Sequence, residues 1–219
     1  EGLQSIWIPH RAPIGHSPGH VDLEGFWARL AEADVPFVLH VGGAPLQVSK
    51  DWGNNGRAAV KDWLGGGENV RTKDAAVLHQ TPEMFLSVML LDGVFDRNPG
   101  LRGAAVELGA GWVPEMCRRL DWVTRIYGRS DKSVRFDRAP SQQLIEQMAF
   151  TPFSHEDVAY LMEDSHPDLY LFSSDYPHLE GTKDPIGRFE RFLENSEPAI
   201  RDAFYAENFL RLWPNARVD

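Results

Sequence analysis

Two apolar segments of the chain end in side chains that can bind a metal ion. Residues 169–178 pass from an apolar run into Asp175 and then, after a proline-containing turn, into His178. Residues 35–40 form a second apolar run that ends in His40. Carboxylate and neutral imidazole suit Zn²⁺, and also Mn²⁺ or Fe²⁺. We therefore predict one metal site, with Zn²⁺ favoured and His40 and Asp175 as ligands, at the mouth of an α/β barrel.

Each of these residues also has a structural interpretation. A histidine at the end of a strand can be a hydrogen-bonded core residue, and Asp175 could form a turn or cap a helix. The two apolar runs that end in ligands favour the functional interpretation, in which Asp175 also transfers protons. His178 could orient Asp175, contact substrate or close the turn.

Glu107 is a further candidate for catalysis because it lies inside the apolar segment 103–108. A carboxylate in such a place is costly unless it is paired or bound to metal. We predict that Glu107 bridges to the metal or acts as a general base. The alternative is a buried salt bridge with Arg102 or Arg118.

Candidate substrate-binding residues lie in two connections. Arg11, in the loop after the first predicted strand, could hold a substrate carboxylate in a bidentate contact. His79 precedes a helix, and Trp52 lies in segment 42–78, which is too long for a simple connection and could cover the site. Surface positions are the alternative for all three. The loop with Arg11 also carries three histidines: His10, His16 and His20.

Strands and helices alternate along the chain, which predicts a parallel sheet in one α/β domain covering 1–219. The predicted strands are 4–9, 36–40, 103–108, 146–151 and 169–174. The predicted helices start after Asp22, at Thr81 (running to 97), after Ser154, at Pro185 after Asp184, and at Pro198.

The motifs resemble the metal-dependent amidohydrolase superfamily, and most closely its amidohydrolase-related branch around aminocarboxymuconate semialdehyde decarboxylase and the resorcylate-type decarboxylases. Residues 172–178 are similar to the last-strand motif with its metal-binding aspartate, and residues 39–42 to the fifth-strand histidine ligand. Residues 101–114 resemble the sixth strand and its following loop. The similarity extends from about residue 4 to 213. It implies a (β/α)8 TIM-barrel type fold, here partial, with strands four to eight.

Two departures from that branch matter. A complete barrel typically needs about 250 residues, and the first-strand Glu-x-His or His-x-His ligand pair is absent from this sequence. We expect the chain to be the C-terminal portion of a larger barrel. Glu107 stands where the decarboxylases usually have a histidine that acts as acid and base, so hydrolysis remains open.

Composition narrows the class of protein. The chain has 219 residues, one cysteine, Cys117, and a net charge of −10. One cysteine excludes an internal disulfide framework and fits a reducing, cytoplasmic location, with Cys117 as a buried bystander. The negative charge argues against nucleic acid, and no apolar run is long enough to span a membrane. The expected partners are a small-molecule substrate and a second copy in a homodimer.

Three functions follow from these observations. The first is a metal-dependent hydrolase of a small cyclic or carboxylated organic substrate that uses metal-activated water. The alternative is a metal-dependent, non-oxidative decarboxylase of an aromatic or unsaturated acid. The third is a non-catalytic or incomplete family member, which the joint presence of His40 and Asp175 disfavours.

Overall fold

The computed structural model describes residues 2–43, 49–58, 72–178 and 181–216. Within these ranges the chain forms a parallel sheet in the order β1-β2-β3-β4, flanked by helices. Its strands are β1 (Ile6–Trp7), β2 (Phe37–His40), β3 (Gly103–Val106) and β4 (Met148–Phe150). The α/β fold and the positions of the first four predicted strands are confirmed, although each strand is shorter than predicted.

The sheet separates two apolar layers, because side chains alternate between its faces along each strand. In β2, Phe37 and Leu39 are fully buried in the main core, together with apolar residues of the surrounding helices. Val38 and His40 lie on the opposite face. His40 therefore leaves the sheet on its inner side, away from the main core.

Phe37 packs tightly against the neighbouring strand at Gly103. A Cβ atom on Gly103 would lie 2.6–2.9 Å from the Phe37 ring. Because no real Cβ fits at that distance, glycine at 103 is what lets β3 pair with β2 in this register.

The predicted fifth strand, 169–174, is wrong as a regular strand. It forms one parallel bridge, between Tyr170 and Phe150. The backbone N–H of Phe172 then donates to the carbonyl of Phe204, 3.0 Å away, instead of to the sheet. The segment thus leaves the sheet early because the C-terminal helical region supplies its hydrogen-bond acceptor.

The inner face of the sheet carries a second, smaller apolar cluster. Ala104, Ala149 and Leu171 pack there with Leu212 and Trp213. In the described part of the chain the sheet is open, with β1 and β4 as its outer members. The C-terminal helical region therefore covers part of the surface that faces the inside of a barrel.

Helices connect the strands and form the outer layer. The helices are α1 (Glu24–Glu32), α2 (Lys50–Gly53), α3 (Thr72–Ala76), α4 (Gln80–Leu91), α5 (Val94–Arg97), α6 (Val113–Tyr127), α7 (Pro140–Gln147), α8 (Val158–Asp164), α9 (Pro185–Phe192), α10 (Pro198–Asp202) and α11 (Asn208–Leu212). Short 3₁₀ turns occur at Val21–Leu23, Lys132–Val134 and Pro167–Leu169, and a π-helical turn at Ala203–Glu207 joins α10 to α11.

Three helix predictions need correction. Asp22 does not cap α1, because a 3₁₀ turn capped by His20 precedes the helix. The single helix predicted for 81–97 is split at Gly93, which adopts φ 73° in the left-handed region that favours glycine. The residue that caps α8 is Asp157, whose carboxylate accepts the Tyr160 N–H at 3.1 Å, and not Ser154.

The predicted cap of α9 is confirmed, since the Asp184 carboxylate accepts the Gly187 N–H at 3.0 Å.

Cys117 is buried on α6, and burial raises the pKa of its thiol to about 12, so it is a neutral core residue. Among the helices that the structure describes, none combines the length and apolar character needed to cross a membrane. Residues 44–48 and 59–71 of the predicted long connection lie outside the described ranges.

Candidate active site

The ends of β2 and β3 bring His40 and Glu107 together. His40 is the last residue of β2 and pairs in register with Val106, so Glu107 is the first residue beyond β3. Parallel neighbouring strands end at the same edge of a sheet, and the Nε2 atom of His40 lies 2.6 Å from a carboxylate oxygen of Glu107. The Glu107 side chain is only 10% exposed. The strand ends thus pair a nearly buried carboxylate with an imidazole that is partly exposed.

The hydrogen bond on the other side of the His40 ring fixes its tautomer. Nδ1 lies 2.8 Å from the Val41 carbonyl oxygen. Because a carbonyl oxygen can only accept, Nδ1 carries the hydrogen, and in the neutral ring Nε2 holds a lone pair. That lone pair faces a carboxylate oxygen, which is also an acceptor. Such a contact needs a proton or a metal cation between the two atoms.

Asp175 and His178 complete the group, which we call the strand-end cluster (His40, Glu107, Asp175 and His178). Nδ1 of His178 lies 3.4 Å from a carboxylate oxygen of Glu107 and 3.4 Å from one of Asp175. Ligand atoms of Glu107, Asp175 and His178 all lie within 4.8 Å of one another. The structure therefore brings together four of the residues singled out in the sequence.

Both carboxylates of the cluster sit on an unusual backbone. Glu107 has φ 56° and Asp175 has φ 49°, in the left-handed region that residues other than glycine rarely adopt. The Glu107 N–H is held in this conformation by a hydrogen bond to Thr151 Oγ1 of 3.0 Å. Such conformations cost on the order of 1–3 kcal/mol each and concentrate at functional sites. The strained backbone is what aims both carboxylates at one place.

The two arginines considered as partners for Glu107 form ion pairs with other carboxylates. Arg102 pairs with Asp34, and Arg118 pairs with Glu115 and with Asp164. Within the described ranges neither arginine reaches Glu107. The interpretation of Glu107 as the partner of one of these two arginines is therefore wrong, and imidazoles take their place.

His10 supports the cluster from behind, a role that its sequence position did not reveal. It is only 2% exposed, and its Nε2 donates to the carbonyl of His40 at 3.0 Å. Its ring also packs on Gly43, where a Cβ would lie 2.8 Å from His10 Cδ2. Desolvation by burial lowers the pKa of His10, which favours the neutral ring. His10 thus fixes the end of β2, from which His40 projects.

Glu156 organises the loop between β3 and α6. Its carboxylate accepts backbone N–H groups from Ala110 at 3.0 Å, Gly111 at 2.7 Å and Phe153 at 2.6 Å. This loop begins just after Glu107. Glu156 therefore anchors the connection that begins beside the cluster.

Three candidate substrate-binding residues differ in exposure. Arg11 is exposed, His79 is half-buried before α4, and Trp52 on α2 is 77% exposed. Their roles in substrate binding stay predictions.

The strand-end cluster fits a divalent cation by the chemistry of its donors. Glu107, Asp175 and His178 offer two carboxylates and one imidazole whose ligand atoms lie within 4.8 Å of one another, and His40 adds an imidazole through its contact with Glu107. Nitrogen and oxygen donors of this kind serve Zn²⁺ and also Mn²⁺ or Fe²⁺. The donor set alone does not prefer zinc.

Comparisons with known proteins show which solved structures this chain resembles in fold. A solved amidohydrolase from Mycobacterium avium subsp. paratuberculosis K-10 is similar, with 25% identity and a TM-score of 0.75 over 97% of this chain and 52% of the other. A dihydroxybenzoic acid decarboxylase from Polaromonas sp. JS666, with bound manganese and the inhibitor 2-nitroresorcinol, has 19% identity and a TM-score of 0.58 over 93% and 57%.

A 5-carboxyvanillate decarboxylase from Novosphingobium aromaticivorans DSM 12444, complexed with manganese, is 15% identical, with a TM-score of 0.62 over 91% of this chain and 53% of the other. The two decarboxylases are too distant in sequence to show more than the fold. The chain spans about half the length of these solved structures. No curated protein matches the sequence significantly.

The family comparison covers nearly the whole chain. The family model described as Amidohydrolase matches residues 9–214. This range contains β2 to β4 and all four residues of the strand-end cluster. The chain therefore belongs to the amidohydrolase family.

Proposed function

We propose that this chain carries the catalytic edge of a metal-dependent hydrolase that acts on a small cyclic or carboxylated organic substrate. His40 and Asp175 are the proposed metal ligands, and Zn²⁺ is the first metal to test. The observation that carries the proposal is the contact of 2.6 Å between a Glu107 carboxylate oxygen and the His40 nitrogen. It supports a role for Glu107 as a base at the end of β3, where a cationic acid would be needed for decarboxylation.

A bound divalent ion would polarise a substrate carbonyl and lower the pKa of a bound water. The side chains of the cluster would then accept and transfer the proton of the attacking water. Glu107 is nearly buried and adjacent to both imidazoles, so it is placed to take a proton from water. His178 lies at the same distance from both carboxylates and can pass that proton on or orient Asp175.

Decarboxylation is the second candidate, and one observation favours it. Several structurally similar proteins are named as decarboxylases of hydroxylated aromatic acids. Such a reaction needs an acid that protonates the ring carbon. His178, when protonated, is the cluster residue that could supply this proton, because its ring lies against both carboxylates.

Product analysis separates the two reactions. The protein at its natural length, loaded with Zn²⁺ or Mn²⁺, is incubated with a panel of lactones, cyclic amides, esters and carboxylated phenols. Substrate loss and CO₂ release are followed in parallel. We expect ring opening or ester cleavage without CO₂. Release of CO₂ from a carboxylated aromatic would replace hydrolysis by decarboxylation as the proposed activity.

The homodimer is also proposed rather than established. Light scattering of the purified protein measures its mass in solution, and a monomeric mass would rule the dimer out.

A further inference from the structure

A second group of metal-competent donors lies outside the strand-end cluster, in the connection between β1 and α1. It consists of His16, His20 and Asp22, and we call it the loop triad. Ligand atoms of the three residues lie within 4.8 Å of one another. A carboxylate oxygen of Asp22 is 3.8 Å from Nε2 of His16 and 3.5 Å from Nδ1 of His20. Ligands of one transition-metal ion with bonds of about 2.0–2.2 Å are separated by similar distances.

Hydrogen bonds direct the lone pairs of both rings towards Asp22. Nδ1 of His16 lies 2.7 Å from the carbonyl oxygen of Gly15 and must donate, so Nε2 of the neutral ring holds the lone pair. Nδ1 of His20 accepts the N–H of Asp22 at 3.2 Å, so it also holds a lone pair. Three acceptors thus face one another. A divalent ion would offset their mutual repulsion, and the long bond from the Asp22 N–H is the one interaction it would displace.

The loop that carries the triad is held in shape by its own contacts. The hydroxyl of Ser17 accepts the Gly19 N–H at 3.1 Å and donates to Asp92 on the outer layer. The carbonyl of Pro18 accepts the indole N–H of the buried Trp27 at 2.8 Å. The contacts of Ser17 and Pro18 lower the entropy cost of bringing three ligands to one ion. The rings of His16 and His20 are stacked, with centroids 4.2 Å apart and planes 8° from parallel, so one ring has to turn out of the stack before both nitrogens can bind the same ion.

The chain contains an internal comparison for this site. His166 and Asp168 repeat the local arrangement of His20 and Asp22, because Nδ1 of His166 accepts the Asp168 N–H at 3.3 Å and lies 3.8 Å from its carboxylate. That second turn is not part of a group of three metal-competent donors in the described residues. The His-x-Asp turn is therefore a capping device, and His16 is what the loop triad adds.

We propose that the loop triad binds one divalent transition-metal ion, of the class of Zn²⁺, Ni²⁺ or Cu²⁺. His16 supplies Nε2, His20 supplies Nδ1, Asp22 supplies a carboxylate oxygen, and water completes the coordination. The site is separate from the strand-end cluster and from the proposed hydrolysis. Its effect is to stiffen the loop that follows β1, the same loop whose first part holds His10 against His40.

Stoichiometry of Zn²⁺ binding tests the site. Metal-free wild type, His16→Ala and the matched control His166→Ala are dialysed against Zn²⁺, and bound metal is counted, with circular dichroism as the check of folding. We expect His16→Ala to bind one equivalent less than wild type, or to bind it at least about 10-fold more weakly. His166→Ala should match wild type. Equal binding by wild type and His16→Ala, or an equal loss in His166→Ala, overturns the proposal.

A measurement on the unmodified chain covers the case in which a variant misfolds. Histidine side-chain ¹⁵N NMR reports which ring nitrogens bind Zn²⁺. The expected result is a Zn²⁺-dependent shift of Nε2 of His16 and of Nδ1 of His20, with the His166 signals unchanged. If both triad nitrogens keep their metal-free shifts while other histidines respond, the loop triad is not a metal site. The strand-end cluster contains different histidines, His40 and His178. The NMR signals of those two residues therefore test the proposed function separately from the loop triad.

Discussion

Carboxylates at the strand ends and carboxylates in the outer helical layer have different partners. Many carboxylates of the outer layer face arginines, as in the pairs Glu24–Arg97, Asp34–Arg102, Glu83–Arg119, Glu115–Arg118, Glu146–Arg138 and Glu190–Arg201. At the strand ends, Glu107 and Asp175 face the histidines His40 and His178. Arginine is always protonated, whereas histidine is protonated only in part near neutral pH. The outer pairs thus contain a cationic side chain near neutral pH, whereas a histidine beside Glu107 or Asp175 attracts the carboxylate strongly only when a second proton or a metal ion is bound.

The backbone follows the same division. Asp34 in the outer layer also has a positive φ, of 52°, but it comes directly after the residue that ends α1, where a left-handed residue is ordinary. Glu107 and Asp175 have no helix to terminate. Backbone conformations of this kind concentrate at functional sites, which agrees with the proposed roles of these two carboxylates.

The largest expected effect comes from changing Glu107. Glu107→Gln keeps the size of the side chain and removes its basicity, so we expect kcat to fall by about 10²–10⁴-fold, the range typical of losing a general base. Thermal stability should change little, because the contact between Glu107 and His40 is strongly attractive only when the histidine carries a second proton or binds a metal ion. Steady-state kinetics of the metal-loaded protein and a thermal unfolding curve measure the two effects.

Glu115→Gln is the control for that experiment, since Glu115 is an exposed carboxylate with a permanent partner, Arg118. Its kcat should match wild type. A Glu107→Gln protein with normal kcat and reduced stability would show that Glu107 is a structural ion pair, and the contrast between the two regions would disappear.

A smaller effect is expected from changing Glu156, a carboxylate whose partners are backbone N–H groups and not histidine or arginine side chains. Its three backbone N–H partners cannot all be satisfied by an amide, so Glu156→Gln should lower the free energy of unfolding by about 1.5–3 kcal/mol. Urea unfolding measures it. Glu146→Gln, which removes one side of an exposed pair with Arg138, should cost less than about 1 kcal/mol. Equal losses in the two variants would contradict a special role for Glu156.

The sequence predicts the strand ends well for a physical reason. A buried parallel strand is a continuous apolar run, so the polar residue that ends it stands out, as His40 does at the end of β2. Asp175 stands out in the same way after an apolar run, although that run makes only one bridge to the sheet. Neighbouring parallel strands end at one edge, and this places Glu107 beside His40 without any knowledge of the fold's details.

What the sequence could not give depends on contacts between distant residues. The partner of Glu107 is decided by which side chains reach the edge, and Arg102, close in sequence, lies elsewhere and binds Asp34. His10 looked like a loop residue, because its burial comes from packing on Gly43, 33 positions away. The early departure of segment 169–174 from the sheet likewise depends on an acceptor at Phe204.

The smallest expected effect comes from changing Glu24. It tests whether an outer pair stabilises the fold through the charge of its carboxylate. One carboxylate oxygen of Glu24 accepts from Arg97 at 2.9 and 3.0 Å, and the other accepts from Asn98 at 3.2 Å. The hydrogen bond from Arg97, followed by that from Asn98, lowers the pKa of Glu24. A lowered folded-state pKa means that the pair stabilises the fold above the unfolded pKa of Glu, about 4.3, and loses this contribution as pH falls through the folded value.

Comparison of wild type with Glu24→Gln across pH therefore gives a signed result. Near neutral pH the variant should be less stable by under about 1 kcal/mol, because Glu24 and Arg97 are both partly exposed. The difference in stability should shrink as the pH falls below the pKa of an unfolded glutamate, because protonated glutamate and glutamine are both neutral. Urea unfolding at a series of pH values measures it. A difference that stays constant on acidification would mean that Glu24 acts through packing, and not through a permanent pair with arginine.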